Sequence, residues 1–558
     1  MIKKNLICGI LLVSIIASFT GCGKADVTEF EPACVETYVA EQEVGSLEYP
    51  SMPAEMAKST VEEARYDNAC VGTVTCDAGD FFDAGDFFMN TEEYSPIKES
   101  SFLSSITTPL STFAADVDTA SYSNFRRFVN AGYNLSNFPA GSIRTEEMLN
   151  YFTYNYAEPE NGEPFGVHAM VSECPWNTSN KLLRVGITTA SMDSKDVPDC
   201  NVVFLVDVSG SMQDDNKLPL IKKVMAPVIE QFDSHDRISI VTYASGVETV
   251  LNGVPGNEQS KIRHGFDNLD AGGSTYGSGG IERAYEIAEE NFIDGGVNRV
   301  IICSDGDFNV GLTSQAELED LISEKKEKGI FLSTLGFGMY NFSDTTMETL
   351  ADCGNGNYAY IDTEKEAKKV LIDEMTSTFV TVAKDVKFQV EFNPAKVKEY
   401  RLVGYENRAL AAEDFKDDTK DGGELGAGHQ VTVLYELVTD GDGNGIDLKY
   451  RSTPTEYKGQ DIDEYCTVSI AYKTPDGEKS EYRSYPVGTD SYTKRPDDDF
   501  IFASTVAEVS LAVRGSEYIT AYSAEEALHN ALKRCHDIRE MDEYREEFVE
   551  LVEDIYDL

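Results

Sequence analysis

Five apolar runs alternate with amphipathic stretches over residues 199 to about 384, and no other feature of the chain constrains its fold as much. The runs are NVVFLV (201–206), RISIVTY (237–243), RVIIC (299–303), GIFLSTLGF (329–337) and NYAYI (357–361). Between and after them, helical periodicity appears at 217–232, 280–294, 314–328, 345–352 and 363–376. Thr345 with Glu348 and Ser314 with Glu317 have the spacing of a capping box. A strand that is apolar on both faces must be covered on both, and a helix between consecutive strands provides that cover. The expectation is a doubly wound α/β domain built on a parallel sheet.

The first of these runs ends unlike a core strand. FLVDVSGSM (204–212) passes from apolar residues into Asp207, Ser209 and Ser211, every second residue carrying oxygen, with Gly210 placed to bend the chain. In a doubly wound sheet, ligands bind beyond the carboxyl ends of the strands. Two further loops should reach the same rim. LDAGGSTYGSGG (269–280) offers Thr275, and Asp305 follows RVIIC. All five are oxygen ligands and only two are carboxylates. That donor set suits Mg²⁺ or Mn²⁺, with Ca²⁺ as an alternative, and a small hard cation keeps several waters. An open position on such a cation could accept a carboxylate from another protein.

DxSxS with a downstream Thr and a downstream Asp resembles the metal-ion-dependent adhesion site (MIDAS) of von Willebrand factor A (VWA) domains. A wider resemblance, over residues 105 to 558, is to bacterial VWA-domain lipoproteins of one architecture. It rests on TFAADVDTASYSNFRRFVNAG (112–132), IRTEEMLNYF (143–152), CPWN (174–177), GGVNRVIICSDGDFNVG (295–311), STLGFG (333–338), GNGNYAYID (354–362) and FNPAKVKEYRLVGYENRAL (392–410). The resemblance implies a surface-tethered module with a cation at Asp207, Ser209, Ser211, Thr275 and Asp305.

The flanks follow other patterns. Residues 106–164 carry helical spacing at Ala120–Phe128 and Ile143–Tyr151, and two strand-like runs follow at 165–173 and 182–189. Past 384 the period becomes two, with strands expected at 386–393, 431–438, 445–450, 465–472 and 480–486. Two strands alone make only a marginal sheet. Pairing 165–195 with 385–490 therefore gives a β-sandwich into which the α/β domain, 196–384, is inserted. Residues 491–558 should be helical, with Phe502, Val506, Val509 and Val513 on one face and Phe548, Leu551, Val552 and Ile555 on another.

The N-terminus reads as a lipoprotein signal peptide over 1–21. Lys3 and Lys4 precede a short apolar stretch from Leu6 to Phe19, and Phe-Thr-Gly-Cys ends it at Cys22. Cys22 is the expected lipidation site, which places the protein outside the cytoplasm, anchored to a bacterial membrane through lipid alone. Residues 22–105 read as an acidic flexible tether containing DAGDFF twice, at 77–82 and 83–88. With 98 Asp and Glu against 47 Lys and Arg, the net charge of −51 argues against nucleic acid as a partner.

Other chemistry is weaker. Beyond Cys8 and Cys22 the nine cysteines show no framework, although Cys70 and Cys76 lie close in sequence, and the six histidines are scattered. The glycine-rich loop 272–280 lacks the GK[ST] of a P-loop. Asp440, Asp442 and Asn444 have Ca²⁺-loop spacing, but Arg451 stands where an EF-hand needs Glu, so an acidic hairpin turn is expected there. The functional expectation is a cation-dependent protein-recognition module that is not an enzyme. A metal-independent envelope scaffold and a metal-assisted hydrolase are the competing readings.

Overall fold

The computed structural model describes residues 92–160, 162–306, 315–339, 341–439, 462–475, 477 and 479–557. The signal peptide, Cys22, the DAGDFF repeat, Cys70, Cys76, the Asp440–Asn444 turn and the expected strand 445–450 lie outside these residues. Among the described residues no helix is long and apolar enough to cross a membrane.

A six-stranded sheet forms the α/β part. Its order is Tyr358–Ile361, Ile330–Phe337, Val297–Ser304, Cys200–Asp207, Arg237–Tyr243 and Val247–Pro255, all parallel except the last. Every residue of Cys200–Asp207 is buried, between one apolar layer containing Phe204 and Val206 and another containing Val203 and Leu205. Burying a Val, Leu or Phe side chain contributes roughly 1.5–3 kcal/mol. Val202 to Val206 therefore anchor this strand firmly enough to hold a polar terminus at the rim. The antiparallel edge strand Val247–Pro255 and the helix Gln259–Asp267 were not expected. The strand is half exposed with mixed polarity, so it carries neither a continuous apolar run nor a clean alternation.

Two antiparallel sheets form a sandwich around this insertion. One runs Leu103–Ser104, Glu399–Val403, Gln430–Val438, Lys181–Thr189 and Phe165–Glu173. The other contains Gly423–Gly426, Thr381–Phe392, Glu464–Lys473 and Glu481–Gly488, with Leu110–Ala114 added on Thr381–Phe392. Val185, Ile187, Val433 and Tyr435 of the first sheet share a core with Phe388, Val390, Val468 and Ile470 of the second. The strand before the insertion pairs with one after it, Lys181 opposite Leu437 through Thr188 opposite Gln430. The α/β domain is thus inserted in a β-sandwich.

Three expectations need correction. Residues 92–105 are not tether: Glu92 pairs with the buried Arg127 at 2.9 Å, and Leu103 and Ser104 form a short strand against Glu399–Val403. Their polar composition resembles the tether, but they are held by partners distant in sequence. Within 106–164, Leu110–Ala114 is a strand. The helix starting at Asp344 is preceded by Ser343, not capped by Thr345, because Glu348 turns away to Asn407 and Arg144.

The C-terminal helices Asp498–Val513, Ala524–Cys535 and Glu543–Asp557 pack with Ala120–Asn130 and Thr145–Asn150 over the outer face of the first sandwich sheet. Asp498–Val513 is buried nearly all round, not on one face alone. Cys174, Cys200, Cys303, Cys353, Cys466 and Cys535 are unpaired.

Candidate functional site

The rim beyond the carboxyl ends of the parallel strands brings three loops together. Cys200–Asp207 and Val297–Ser304 are neighbours, with Val206 opposite Cys303, so Asp207 and the Ser304–Asp305 pair end side by side. Ser304 Oγ donates to Asp207 Oδ2 at 3.1 Å and joins the two loops. The Ser209 amide donates to Asp207 Oδ1 at 2.8 Å, turning the chain so that the Ser209 and Ser211 hydroxyls lie 3.0 Å apart.

The middle loop is docked through its backbone. Gly210 N–H donates to the Gly273 carbonyl at 3.0 Å, and Gly272 N–H to the Val208 carbonyl at 2.8 Å. Gly273 sits at φ +91°, and a side chain there would strike Ser245 Oγ. Ser245 in turn accepts from the Ser274 amide at 3.0 Å. This fastening sets the half-exposed Thr275 just before the helix Gly277–Glu290, on the loop tied to Val208 and Gly210.

Both carboxylates are fully buried. Burial, with the Asp305 charge next in weight, pushes the Asp207 carboxyl up to about 6, while the Ser209 and Ser304 hydrogen bonds pull it down. A shift of that size corresponds to roughly 3 kcal/mol stored against the ionised form. Tyr243, opposite Asp207 on the neighbouring strand, has its phenol pushed up by burial and by the Asp207 charge.

Asp305 is held differently. Lys217 Nζ donates to its Oδ2 at 3.0 Å, and Asn341 Nδ2 donates to the same oxygen at 2.9 Å. Lys217 also donates to Asn341 Oδ1 at 2.7 Å, which closes a triangle. Lys217, Asn341 and Ser304 are the residues that sequence reasoning missed. One signal was available for Lys217: it stands at the N-cap of the helix Leu218–Ile229, where Ser, Thr, Asp or Asn is favoured.

The donor set fits a hard cation. It offers two buried carboxylates and the Ser209 and Ser211 hydroxyls, with Thr275 on the loop tied to Val208 and Gly210. Among the described residues no group of three or more His, Cys, Asp or Glu could hold a metal ion. A cation here would therefore depend on the serine and threonine hydroxyls.

Three family models match successive segments of the chain. Residues 201–374 match the family described as von Willebrand factor type A domain, residues 88–184 the one described as von Willebrand factor, and residues 377–558 the one described as uncharacterized protein YfbK, C-terminal. The uncharacterized protein YfbK of Escherichia coli (strain K12) is 39% identical over 453 residues, covering 80% of this chain and 78% of that protein. Human inter-alpha-trypsin inhibitor heavy chain H2 is 24% identical over 184 residues, covering 30% of this chain but only 19% of its own length. Among solved structures, a von Willebrand factor type A protein from Catenulispora acidiphila aligns at TM-score 0.41 and 15% identity, over 72% of this chain and 91% of that one. A mussel byssus proximal thread matrix protein, described as having a zinc-occupied MIDAS motif, aligns at TM-score 0.27 and 18% identity, over 34% and 46%.

Proposed function

The chain belongs to the YfbK family, in which a von Willebrand factor type A domain precedes a YfbK-type C-terminal segment, and from that premise we propose that it binds a divalent cation and uses it to recognise another protein. The observation that carries this reading is the convergence of three loops on two buried carboxylates, with hydroxyls supplying the remaining oxygens. Asp207 and Asp305 would hold the ion or its waters, Ser209 and Ser211 would bind through their hydroxyls, and Thr275 would complete the set when a partner arrives. Mg²⁺ or Mn²⁺ is the expected ion, with Ca²⁺ the alternative. Bound there, it would supply a Lewis-acidic position open to an outside carboxylate, so the partner presents an Asp or Glu.

Recognition fits this site better than hydrolysis. Both rim carboxylates hold loops or pair with Lys217, so a general base distinct from the cation's own ligands is missing among the described rim residues. The location follows from Cys22: two acyl chains give stable anchoring where one is marginal, and the protein sits on the outer face of a bacterial membrane. If Cys22→Ser protein stays in the membrane fraction, the anchor is wrong.

The central test is calorimetry of Mg²⁺ and Mn²⁺ into the full chain and its Asp207→Ala form. Binding heat in the first and none in the second is the expected result. Silence in both, or equal affinity, would leave the metal-independent scaffold as the better account.

A further inference from the structure

Lys217 is a lysine in an expensive place. Its side chain is only 2% exposed. It occupies a helix N-cap, where the helix dipole disfavours a cation, and no side chain caps Leu218–Ile229. Room for it has been made elsewhere. Gly338 lies at φ +87°, and a Cβ there would come within 2.1 Å of the Lys217 Cε atom. Local helix chemistry argues against Lys at this position, and a residue that breaks a local rule with such support around it marks a functional constraint.

The constraint is charge. Asp207 and Asp305 together carry two negative charges, and a divalent cation would cancel them to zero. With those charges balanced, only the cation's short-range field favours a carboxylate over an amide or water. Counting the ammonium that contacts Asp305 Oδ2 and Asn341 Oδ1 changes the sum. The three side chains then carry one net negative charge, and the cation-loaded site one net positive charge.

We propose that Lys217 is the specificity-determining residue of the rim, a built-in cation that weakens metal binding and makes the metal-loaded site select an anionic carboxylate. This rests on the cation reading above and deepens it, because it explains why the partner's group must be charged. Lys217 acts through Asp305 and through the field at the site, and need not touch the partner.

The test uses Mn²⁺ as metal and acetate and acetamide as probes, read by water-proton relaxation of the full chain. Lys217→Met removes the charge but no helix cap, since the lysine side chain was not serving as one. Unit charges a few ångströms apart in a partly buried site couple strongly enough to change affinity roughly tenfold. Lys217→Met should therefore bind Mn²⁺ about tenfold more tightly, and its Mn²⁺ form should prefer acetate over acetamide about tenfold less. Lys217→Arg should stay near wild type. Should Lys217→Met fail to fold, Lys217→Gln removes the charge and keeps a donor toward Asp305, with the same two shifts expected.

Wild type that binds Mn²⁺ while both charge-removing variants keep its Mn²⁺ affinity and acetate preference would overturn the role of Lys217 and leave the cation site standing. Wild type that gives no Mn²⁺ relaxation signal would sink the cation reading and this inference with it.

Discussion

Buried charge at two places in this molecule, the seam and the rim, is satisfied in opposite ways. At the seam between the inserted domain and its frame, carboxylates meet arginines. Arg126 binds Asp362, Glu366 and Glu547; Arg144 binds Glu147 and Asp344; Arg408 binds Asp116, Asp118 and Asp352. At the rim the acids meet serines, peptide N–H groups and one lysine. An arginine fork completes a carboxylate and ends its chemistry. A hydroxyl shell leaves charge to be balanced from outside. The seam is therefore architecture, and the rim is the proposed ligand site.

The comparison breaks first at the seam. Arg144 is nearly fully buried, and its partners Glu147 and Asp344 are fully buried. Truncating one member of such a set leaves uncompensated charge inside, at a cost of about 3–5 kcal/mol. Arg144→Met should lower the urea midpoint of the full chain accordingly. It should leave the Mn²⁺ affinity of whatever folded protein remains unchanged. An unaltered midpoint would mean that the ion pairs are incidental to how the inserted domain is held.

One carboxylate at the seam does not follow the arginine rule, and it sharpens the contrast. Glu146 is fully buried and neither of its oxygens has a hydrogen-bond partner. Burial first, then the charges of Glu406, Asp116 and Glu147, push its carboxyl up to about 8. A carboxyl raised on folding binds more protons native than unfolded between its two values. Stability should then fall as pH rises from about 4.5 to about 8 and level off above. Glu146→Gln cannot ionise and should remove that contribution. Relative to wild type, it should be more stable by roughly 4 kcal/mol at pH 8 than at pH 4.5. Parallel pH–stability curves for the two proteins would show that Glu146 does not titrate in this way.

Much of the rim was legible in sequence and almost none of the seam. A fully buried parallel strand leaves a continuous apolar run, so Cys200–Asp207 and Val297–Ser304 announce themselves. Asp207, Ser209 and Ser211 lie within five residues, and a local turn carries the whole motif. Arg126 and Asp362, by contrast, are 236 positions apart, and Lys217 and Asp305 are 88 apart. Nothing local distinguishes an arginine that will be buried from one that will be solvated. Lys217 was the partial exception, since an N-cap lysine is already a departure from helix chemistry.

The smallest expected effect lies at Thr275, and it asks whether the rim is a ligand site at all. Its loop is fastened by the backbone of Gly272 and Gly273 and by Ser274 on Ser245, so the threonine hydroxyl is not what holds the loop in place. Thr275 is half exposed, and its hydroxyl is the third neutral oxygen of the proposed set. Thr275→Ala should therefore stay within about 0.5 kcal/mol of wild type in the absence of metal, the range of surface substitutions away from packed features. With Mn²⁺ and acetate present the two proteins should diverge. Ligand binding stabilises the folded state by mass action, by about 2.7 kcal/mol at a hundred times Kd, and a weaker ligand-bound state forfeits part of that gain. The measurement is the difference in melting temperature between loaded and unloaded protein, for each form. A Thr275→Ala protein that is destabilised without metal, yet gains as much on loading as wild type, would assign the hydroxyl to the scaffold and remove it from the site.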